Sequence, residues 1–229
     1  MEILVTNNYL KKKNHKIIVS IIIPVFNKIE FTKKCLQSIF DNTDSIASAE
    51  IIVVNNGSTD GTKEFLAEAE TLYPNIEGIN PGENLGFARA NNLAAKSAKG
   101  DYLLFLNNDT EVQKGWLDSL IKVLQENPQA AVAGSKLLYP DNTIQHAGVV
   151  IVKDEPMKLE LNPYHLHYRE KDTDSAQPPE KMYAVTAACM LIRKDVFNSI
   201  GGFDEEYRNG YEDVDLCFKV LTAGHDCQK

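Results

Sequence analysis

Short aliphatic runs alternate with helical patterns between residues 16 and 110, and this alternation limits the fold more than any other feature of the chain. The aliphatic runs end near Val25, Val54, Ile79 and Leu106. Between them, apolar side chains recur three and four residues apart, the spacing of a helix that buries one face. In the first such stretch they are Phe31, Cys35, Leu36, Ile39 and Phe40. Because strands and helices that alternate over short connections form right-handed crossovers, the sequence predicts a three-layer α/β fold with a mostly parallel sheet.

Three of the predicted strands are followed directly by polar residues, in the stretches "PVFNKIE", "NNGSTDGT" and "NNDTE". Asn, Gly, Ser and Asp form turns, and that property alone would explain any one of these tips. It explains less well why all three carry hydrogen-bonding side chains and why one ends in a potential metal ligand, Asp109. Since ligands of open α/β sheets bind at the carboxyl ends of the strands, we expect a binding site at this edge. Thr59 or Asp60 is placed to cap the helix that begins near Gly61.

The second half of the chain is less regular. A helix is predicted over residues 116–125, strands over residues 130–139 and 143–152, and a strand with a following helix within residues 183–197. The polar stretch 153–181 contains several prolines and is predicted to be a long loop, a kind of segment that is often functional. A last helix within residues 211–224 carries Glu212, Asp213 and Asp215 in its first turn, where acids favour the helix dipole.

Composition and missing motifs exclude several classes of function. A net charge of −8 and a pI near 5.2 argue against a general nucleic-acid binder. The chain has neither the GxxxxGK[ST] pattern of a phosphate loop nor the GxGxxG spacing of a dinucleotide fold, so kinase-like and NAD-dependent functions are not expected. Four cysteines without a CxxC pair indicate free thiols in a reducing compartment.

The N-terminal region places lysines before an apolar run, as a signal peptide does. The apolar run is too short to span a bilayer and lacks a small-residue cleavage site, so a buried strand explains it better. Residues 1–15 are interpreted as a polar lead-in. No stretch of the sequence has the apolar length of a membrane span, and peripheral attachment to a membrane stays open.

Five stretches together resemble the family 2 glycosyltransferases of the GT-A fold, particularly bacterial enzymes of the rhamnosyltransferase-like kind. They are "VSIIIPVFNKIEFTKKCLQSI", "EIIVVNNGSTDGT", "NLGFARANN", "DYLLFLNNDT" and "GGFDEEYRNGYEDVDLCFKV". The resemblance covers nearly the whole chain from about Ile17. It implies a three-layer α/β/α sandwich with a Rossmann-like, mostly parallel sheet and a mixed C-terminal part.

The resemblance also implies a nucleotide site and a metal site. In this family the tip after the second strand contacts the base, so Asn55 and Asn56 would lie against uracil or thymine. Asn56 often corresponds to an Asp in relatives, but an amide can also pair with a base edge. The other implied nucleotide-binding residues are Pro24, Val25, Asn27, Glu30, Ser58, Asn84, Arg89, Asn107 and Asn108. Asp109 keeps the metal-binding position of the family's DxD motif, whose first Asp is replaced by Asn107, and would contact Mg²⁺ or Mn²⁺.

The acidic stretch "YEDVD" corresponds to the family's catalytic acids. Attack of a sugar hydroxyl on an anomeric carbon needs a carboxylate that takes the hydroxyl proton. The inverting mechanism of the family assigns this base to Asp213, with Glu212 orienting the acceptor and Asp215 as the alternative base. Without the upstream motifs, all three acids would be read as helix N-terminal residues that favour the dipole. His146 and His225 are not assigned as metal ligands, because a lone His is more often structural or exposed.

The expected function is transfer of a sugar from a UDP or dTDP sugar to a saccharide or lipid-linked acceptor in cell-surface polysaccharide synthesis. The alternative is a nucleotide-sugar-binding module without turnover of its own. Residues 16–229 would form one GT-A domain, with a nucleotide-binding half over about 16–110 and an acceptor-side half over about 111–229. Relatives continue past the acidic helix, so the chain is expected to be cut from a longer enzyme. A cytoplasmic location is expected, with the inner face of the cell membrane as the alternative.

Overall fold

The computed structural model describes residues 18–44, 46–153, 161–173, 181–207 and 210–228. The chain divides into two compact units, Met1–Trp116 and Leu117–Lys229. The division of function between a nucleotide-binding half before about residue 110 and an acceptor-side half after it stays a prediction.

The first unit alternates strands and helices as the sequence predicts. Its elements are β1 (Val19–Val25), α1 (Ile29–Asn42), a turn of 3-10 helix (Ile46–Ser48), β2 (Ala49–Asn55), α2 (Thr62–Leu72), β3 (Ile76–Ile79), α3 (Gly86–Ser97) and β4 (Tyr102–Leu106). The strand order is β4-β1-β2-β3, and every pair is parallel. Within the first unit, the mostly parallel sheet is therefore confirmed.

The strand β2 shows why the aliphatic runs are continuous and do not alternate. All seven of its residues are buried, because it lies between β1 and β3 and contacts α2 and α3. Val25 pairs with Asn55, so the ends of β1 and β2 lie side by side. The polar residues that follow both strands therefore lie at the same edge of this sheet.

One predicted core residue of α1 is exposed. The helix buries Thr32, Cys35, Leu36 and Ile39, whereas Phe31 is 47% exposed. At 100° per residue, Phe31 and Phe40 lie roughly 90° to either side of the centre of this buried stripe. Phe40 stacks on Tyr73 with ring centroids 4.5 Å apart, and Phe31 is left at the surface.

The second unit has a mixed sheet. Its elements, with the helix that begins at the boundary, are α4 (Trp116–Glu126), β5 (Ala130–Gly134), β6 (Leu137–Leu138), β7 (Ile144–His146), β8 (Val149–Lys153), β9 (Leu161–His165), β10 (Lys181–Met182), β11 (Cys189–Arg193), α5 (Lys194–Ser199), α6 (Glu212–Thr222) and β12 (Asp226–Gln228). Its strand order is β10-β12-β5-β11, in which β12 runs parallel to β5 and the other pairs are antiparallel. This confirms the mixed C-terminal part.

Both long strands predicted in the second half are broken. Residues 130–139 form β5 and β6, and residues 143–152 contain β7 and β8. The second break falls at Gly148, whose φ of 106° is unfavourable for any other residue. A Cβ atom at this glycine would also clash with the end of the Met182 side chain, which would have to move.

The predicted loop 153–181 is wrong in one part. Residues 161–165 form β9, which pairs with β8 in an antiparallel hairpin. The strand contains Pro163, a residue that argues against a central strand but is tolerated where only one neighbour is paired. Residues 154–160 and 174–180 of this stretch lie outside the described residues. A further strand that the sequence did not predict, β12, follows α6.

All four cysteines lie within the described residues, where they are buried thiols outside any disulfide. Within the described residues, none of the helices combines the length and apolar character that crossing a bilayer requires.

Candidate active-site residues

The residues after β1 and β2, named here the first tip (residues 24–30) and the second tip (residues 55–60), are tied together by hydrogen bonds. The Asn27 N–H donates to Ser58 Oγ at 2.8 Å, and the Thr59 N–H donates to Asn27 Oδ1 at 2.8 Å. Asn27 and Lys28 both have left-handed backbones, with φ of 56° and 60°. The cross-bonds hold this uncommon conformation in place.

Asp60 connects the starts of two helices. Its Oδ2 accepts the Ile29 N–H of α1 at 2.9 Å, and its Oδ1 accepts the Thr62 hydroxyl of α2 at 2.6 Å. The Thr62 hydrogen bond, followed by that of the Ile29 N–H, lowers the pKa of the Asp60 carboxyl. Gly61, with φ of 84°, occupies the N-cap position of α2. The predicted capping residue Asp60 therefore lies one residue before the N-cap, and from there it bonds Thr62.

Asn55 and Asn56, the residues predicted to contact a base, are both 5% exposed and already bonded to protein groups. Asn55 Nδ2 donates to Asn80 Oδ1 at 2.9 Å, and Asn55 Oδ1 accepts the Ser58 N–H at 3.0 Å. The Asn55 amide therefore shapes the second tip.

The Asn56 amide joins the second tip to the turn before α3, named the third tip (residues 80–86). Asn56 Oδ1 accepts the Leu85 N–H at 2.7 Å, and Nδ2 donates to the Gly86 carbonyl at 3.3 Å. A Cβ atom on Gly57 would lie 3.0 Å from the Asn84 nitrogen, so these two tips fit closely. An amide has a second N–H and a second lone pair, so binding of a base would have to use these.

Other predicted nucleotide-binding residues are positioned on the same three tips or nearby. Asn84 is exposed, and its Oδ1 accepts the Gly86 N–H at 2.9 Å. Glu30 pairs with Lys33 of its own helix at 2.7 Å, and Arg89 is an exposed residue of α3. Pro24 is half-buried, and Val25 is buried at the end of β1. Their ligand contacts stay predictions.

The residues after β4 form the fourth tip (residues 107–110), which contains the predicted metal ligand. The Asn107 carbonyl accepts the Thr110 hydroxyl at 2.8 Å, and Asn108 Nδ2 donates to the fully buried Thr32 hydroxyl at 3.0 Å. Asp109 is exposed, and no described residue donates a hydrogen bond to its carboxylate. The turn is thus fixed by its neighbours, and the Asp109 carboxylate is accessible to solvent.

The described residues offer few groups for a metal ion. Across the part that the structure describes, no three His, Cys, Asp or Glu side chains are grouped so that they could hold one. Mg²⁺ in nucleotide sites is usually held by one or two carboxylates, substrate phosphates and water. The single carboxylate of Asp109 fits this mode, in which most ligands come from the substrate.

In the second unit, the first turn of α6 carries the three predicted acids, and Asp213 is fixed by two backbone groups. Asp213 Oδ2 accepts the Ala187 N–H at 3.2 Å, and Oδ1 accepts the Val214 N–H at 2.9 Å. A carboxylate has about four lone-pair sites, so both oxygens can accept a further proton or hydrogen bond. The carboxylate is therefore held in one orientation and can still accept a proton.

Glu212 and Asp215 have different surroundings. Burial raises the pKa of the Glu212 carboxyl, and the Asp213 charge raises it too, against the hydrogen bonds of the Glu212 and Gly210 backbones. Glu212 Oε2 is buried, and no described residue hydrogen bonds it. Asp215 instead lies 2.8 Å from the Lys219 ammonium, one turn along the helix. The ion pair makes Asp215 the weaker candidate for a base.

The structure adds one residue that sequence reasoning had left as a lone His. His146 is 2% exposed, and its Nε2 accepts the Thr186 N–H at 3.2 Å, next to the Ala187 N–H that binds Asp213. Burial, followed by the nearby His165, lowers the pKa of His146 to about 3. No sequence motif links His146 to residue 186, because the two are brought together by the turn at Gly148.

Solved structures with a similar fold include a mannosyltransferase and a protein crystallised with UDP, GalNAc and Mn²⁺. The chain matches a structure of GalNAc-T7 with UDP, GalNAc and Mn²⁺ at a TM-score of 0.71, with 17% identity over 94% of this chain and 42% of that one. It matches the mannosyltransferase PcManGT from Pyrobaculum calidifontis, in complex with GDP-Man and Mn²⁺, at a TM-score of 0.68, with 17% identity over 96% of this chain and 59% of that one. The fold is the GT-A fold.

Residues 20–201 match the model of glycosyl transferase family 2, and the chain belongs to this family. Curated relatives include the O-antigen biosynthesis protein RfbC of Myxococcus xanthus, 32% identical over 90% of this chain and 16% of that protein. The glycosyltransferase AglE of Haloferax volcanii is 34% identical over 90% of this chain and 62% of its own length. The chain therefore spans less than two thirds of these relatives.

Proposed function

We propose that the chain is the catalytic domain of an inverting glycosyltransferase that uses a UDP or dTDP sugar. Its acceptor would be a saccharide or a lipid-linked saccharide in cell-surface polysaccharide synthesis. Relatives named for O-antigen and teichuronic acid biosynthesis support the acceptor class. The observation that carries the proposal is the Asp213 carboxylate, held in one orientation by the Ala187 and Val214 N–H groups.

Asp213 acts as the general base in this proposal. The bond between the anomeric carbon and the diphosphate oxygen breaks, and its electron pair leaves with the nucleoside diphosphate. The acceptor oxygen forms the new bond from the opposite side, and its proton passes to Asp213. Glu212, with its raised pKa and buried Oε2, stays protonated to a higher pH than an exposed Glu and hydrogen bonds the acceptor.

The donor nucleotide binds at the tips of the first unit. The second tip contacts the base through the unused lone pairs and N–H groups of Asn55 and Asn56. Asp109 would hold Mg²⁺ or Mn²⁺. The cation would supply positive charge that offsets the charge building on the departing diphosphate. Two of the structural neighbours contain Mn²⁺, which supports a divalent cation in this chain.

Calorimetric titration with UDP, dTDP and GDP sugars, each with Mn²⁺ and with EDTA, tests the donor class. We expect UDP or dTDP sugars to bind in Mn²⁺ with micromolar affinity and GDP sugars to bind more weakly. Release of nucleoside diphosphate, measured on the full-length protein with the donor that binds best, then separates an enzyme from a binding module. Tight binding without any release, also in the presence of lipid-linked acceptors, would favour the module.

A further inference from the structure

Residues 185–188 of the second unit, named the anchor segment, connect a buried histidine to the proposed base. Two successive backbone N–H groups point to side chains on different elements. The Thr186 N–H donates to His146 Nε2 at 3.2 Å, and the Ala187 N–H donates to Asp213 Oδ2 at 3.2 Å. A change at one of these N–H groups therefore moves the other.

Further polar groups of the anchor segment are also bonded. The Val185 carbonyl accepts the buried Cys217 thiol at 3.7 Å, and the Ala188 N–H donates to the Thr186 hydroxyl at 3.3 Å. Ala184, the residue before the segment, is fixed to the start of β8, because the Val149 N–H donates to the Ala184 carbonyl at 2.8 Å. His146 and the anchor segment thus form one packed assembly.

The hydrogen bonds determine where the ring protons lie. Since His146 Nε2 accepts the Thr186 N–H, the single proton of the neutral ring must be on Nδ1. His146 Nδ1 lies 2.9 Å from His165 Nδ1, so His146 donates and His165 accepts. His165 is exposed and carries its own proton on Nε2. The pair selects the tautomer of His146 that can hold the anchor segment.

We propose that His146 is a positioning residue for Asp213, acting through the anchor segment. Its Nε2 lone pair fixes the Thr186 N–H, and thereby the direction of the Ala187 N–H that orients the Asp213 carboxylate. A buried N–H without an acceptor is unfavourable, so the segment shifts when this lone pair is removed. The proposal rests on the assignment of Asp213 as the base of a glycosyltransferase.

Two substitutions at His146 separate the effect of its hydrogen-bond acceptor from the effect of its side-chain volume. His146→Phe keeps a ring but removes the acceptor, whereas the side-chain carbonyl of His146→Gln can accept the Thr186 N–H. In the release assay we expect His146→Phe to lower kcat about 10-fold with the donor Kd within about twofold, and His146→Gln to retain kcat within about threefold. His167→Phe is the control, because this histidine bonds Glu170 at 2.9 Å and should keep wild-type kcat.

Amide hydrogen exchange, followed by NMR without substrate, gives a readout independent of activity. We expect the Thr186 and Ala187 amides to exchange faster in His146→Phe and at the wild-type rate in His146→Gln. If His146→Phe does not fold, His165→Ala removes only the exposed acceptor of His146 Nδ1. Like His146→Phe, His165→Ala should lower kcat and speed the exchange of the Thr186 and Ala187 amides, but by a smaller factor.

The outcomes distinguish this proposal from the proposed function. If Asp213→Asn abolishes turnover while folded His146→Phe, or His165→Ala in its place, keeps wild-type kcat and exchange rates, His146 has no positioning role. The same holds if His146→Gln is no better than His146→Phe. If Asp213→Asn keeps full turnover, the assignment of the base is wrong, and the exchange rates still report whether His146 holds the anchor segment.

Discussion

The second tip of the first unit and the first turn of α6 in the second unit are both polar, but they differ in how completely their side chains are bonded. In the second tip, Asn55, Asn56 and Asp60 all bond neighbouring protein groups. In α6, Asp213 is also held by backbone N–H groups, but Glu212 Oε2 is buried and has no hydrogen-bond partner among the described residues. The pKa of Asp60 is accordingly lowered, and that of Glu212 is raised.

This difference distinguishes a structural framework, the second tip, from a candidate reactive site, the first turn of α6. Buried polar groups that bond each other stabilise one conformation of the tips, which then present a fixed surface to a ligand. A carboxyl group that is buried without a matching charge is unfavourable for stability and is often found where chemistry occurs. We therefore expect substitutions in the second tip to act mainly on stability and donor binding, and substitutions in α6 mainly on turnover.

The largest expected effect is on turnover in Asp213→Asn. An amide cannot take the acceptor proton, so kcat should fall by roughly 100-fold or more, while donor affinity stays near wild type. Release of nucleoside diphosphate and calorimetric titration of the donor, both on the full-length protein, measure the two quantities. Asp215→Asn is the matched control, because the Lys219 ion pair already neutralises that acid.

Two results would contradict the assignment of Asp213. Unchanged kcat in Asp213→Asn would transfer the role of base to Glu212 or Asp215. A loss of donor binding with the same substitution would mean that Asp213 contributes to the nucleotide pocket.

The next effect concerns metal-dependent binding through Asp109. Removing the one exposed carboxylate of the fourth tip should weaken nucleoside diphosphate binding in Mn²⁺ by about 10- to 100-fold and change binding in EDTA far less. Titration of Asp109→Ala with UDP or dTDP in both conditions tests this. Asp44→Ala removes another exposed acid of the first unit and should bind like wild type. Equal wild-type affinity in Mn²⁺ and in EDTA would exclude the metal role.

A third effect separates the structural role of Asn56 from base recognition. Asn56→Ala leaves the Leu85 N–H and the Gly86 carbonyl without their partner, so the free energy of unfolding should fall by about 1 to 3 kcal/mol. Urea denaturation without nucleotide measures this loss. Asn84→Ala removes one exposed hydrogen bond to Gly86 and should cost less. If Asn56→Ala were as stable as wild type but bound the donor poorly, the amide would read the base directly.

The fold of the first unit follows from its sequence almost element by element. Its strands are buried on both faces, so each is a short aliphatic run between helical patterns, and local spacing is sufficient to find it. The second unit was less predictable, because its pairings depend on backbone features that no hydrophobic pattern reveals. The break at Gly148 and the strand that contains Pro163 are the clearest cases.

The candidate site could likewise be predicted from the sequence only in part. Sequence motifs identified the acids of α6 and the polar tips, because these are contiguous stretches with recognisable residue types. They did not show that the Asn56 amide bonds the third tip, or that Glu212 and Asp215 differ in their partners. Such contacts join residues distant in sequence or depend on side-chain direction, and only the fold determines them.

The smallest expected effect is a pair of opposite pH dependences. The folded-state pKa of Glu212 is raised above the usual 4.5, so its contribution to stability is complete below that value and is lost as pH rises through the folded pKa. The folded-state pKa of Asp60 is lowered below 3.8, so its contribution is present above that value and is lost as pH falls. Relative to wild type, Glu212→Gln should therefore become more stable as pH rises from 4 to 7. Asp60→Asn should be less stable than wild type throughout that range and should approach wild-type stability as pH falls below 3.8. Denaturation at several pH values, including values below 3.8, measures both slopes. Parallel slopes for the two variants would show that the second tip and α6 hold their acids in the same way, and the distinction between framework and reactive site would fail.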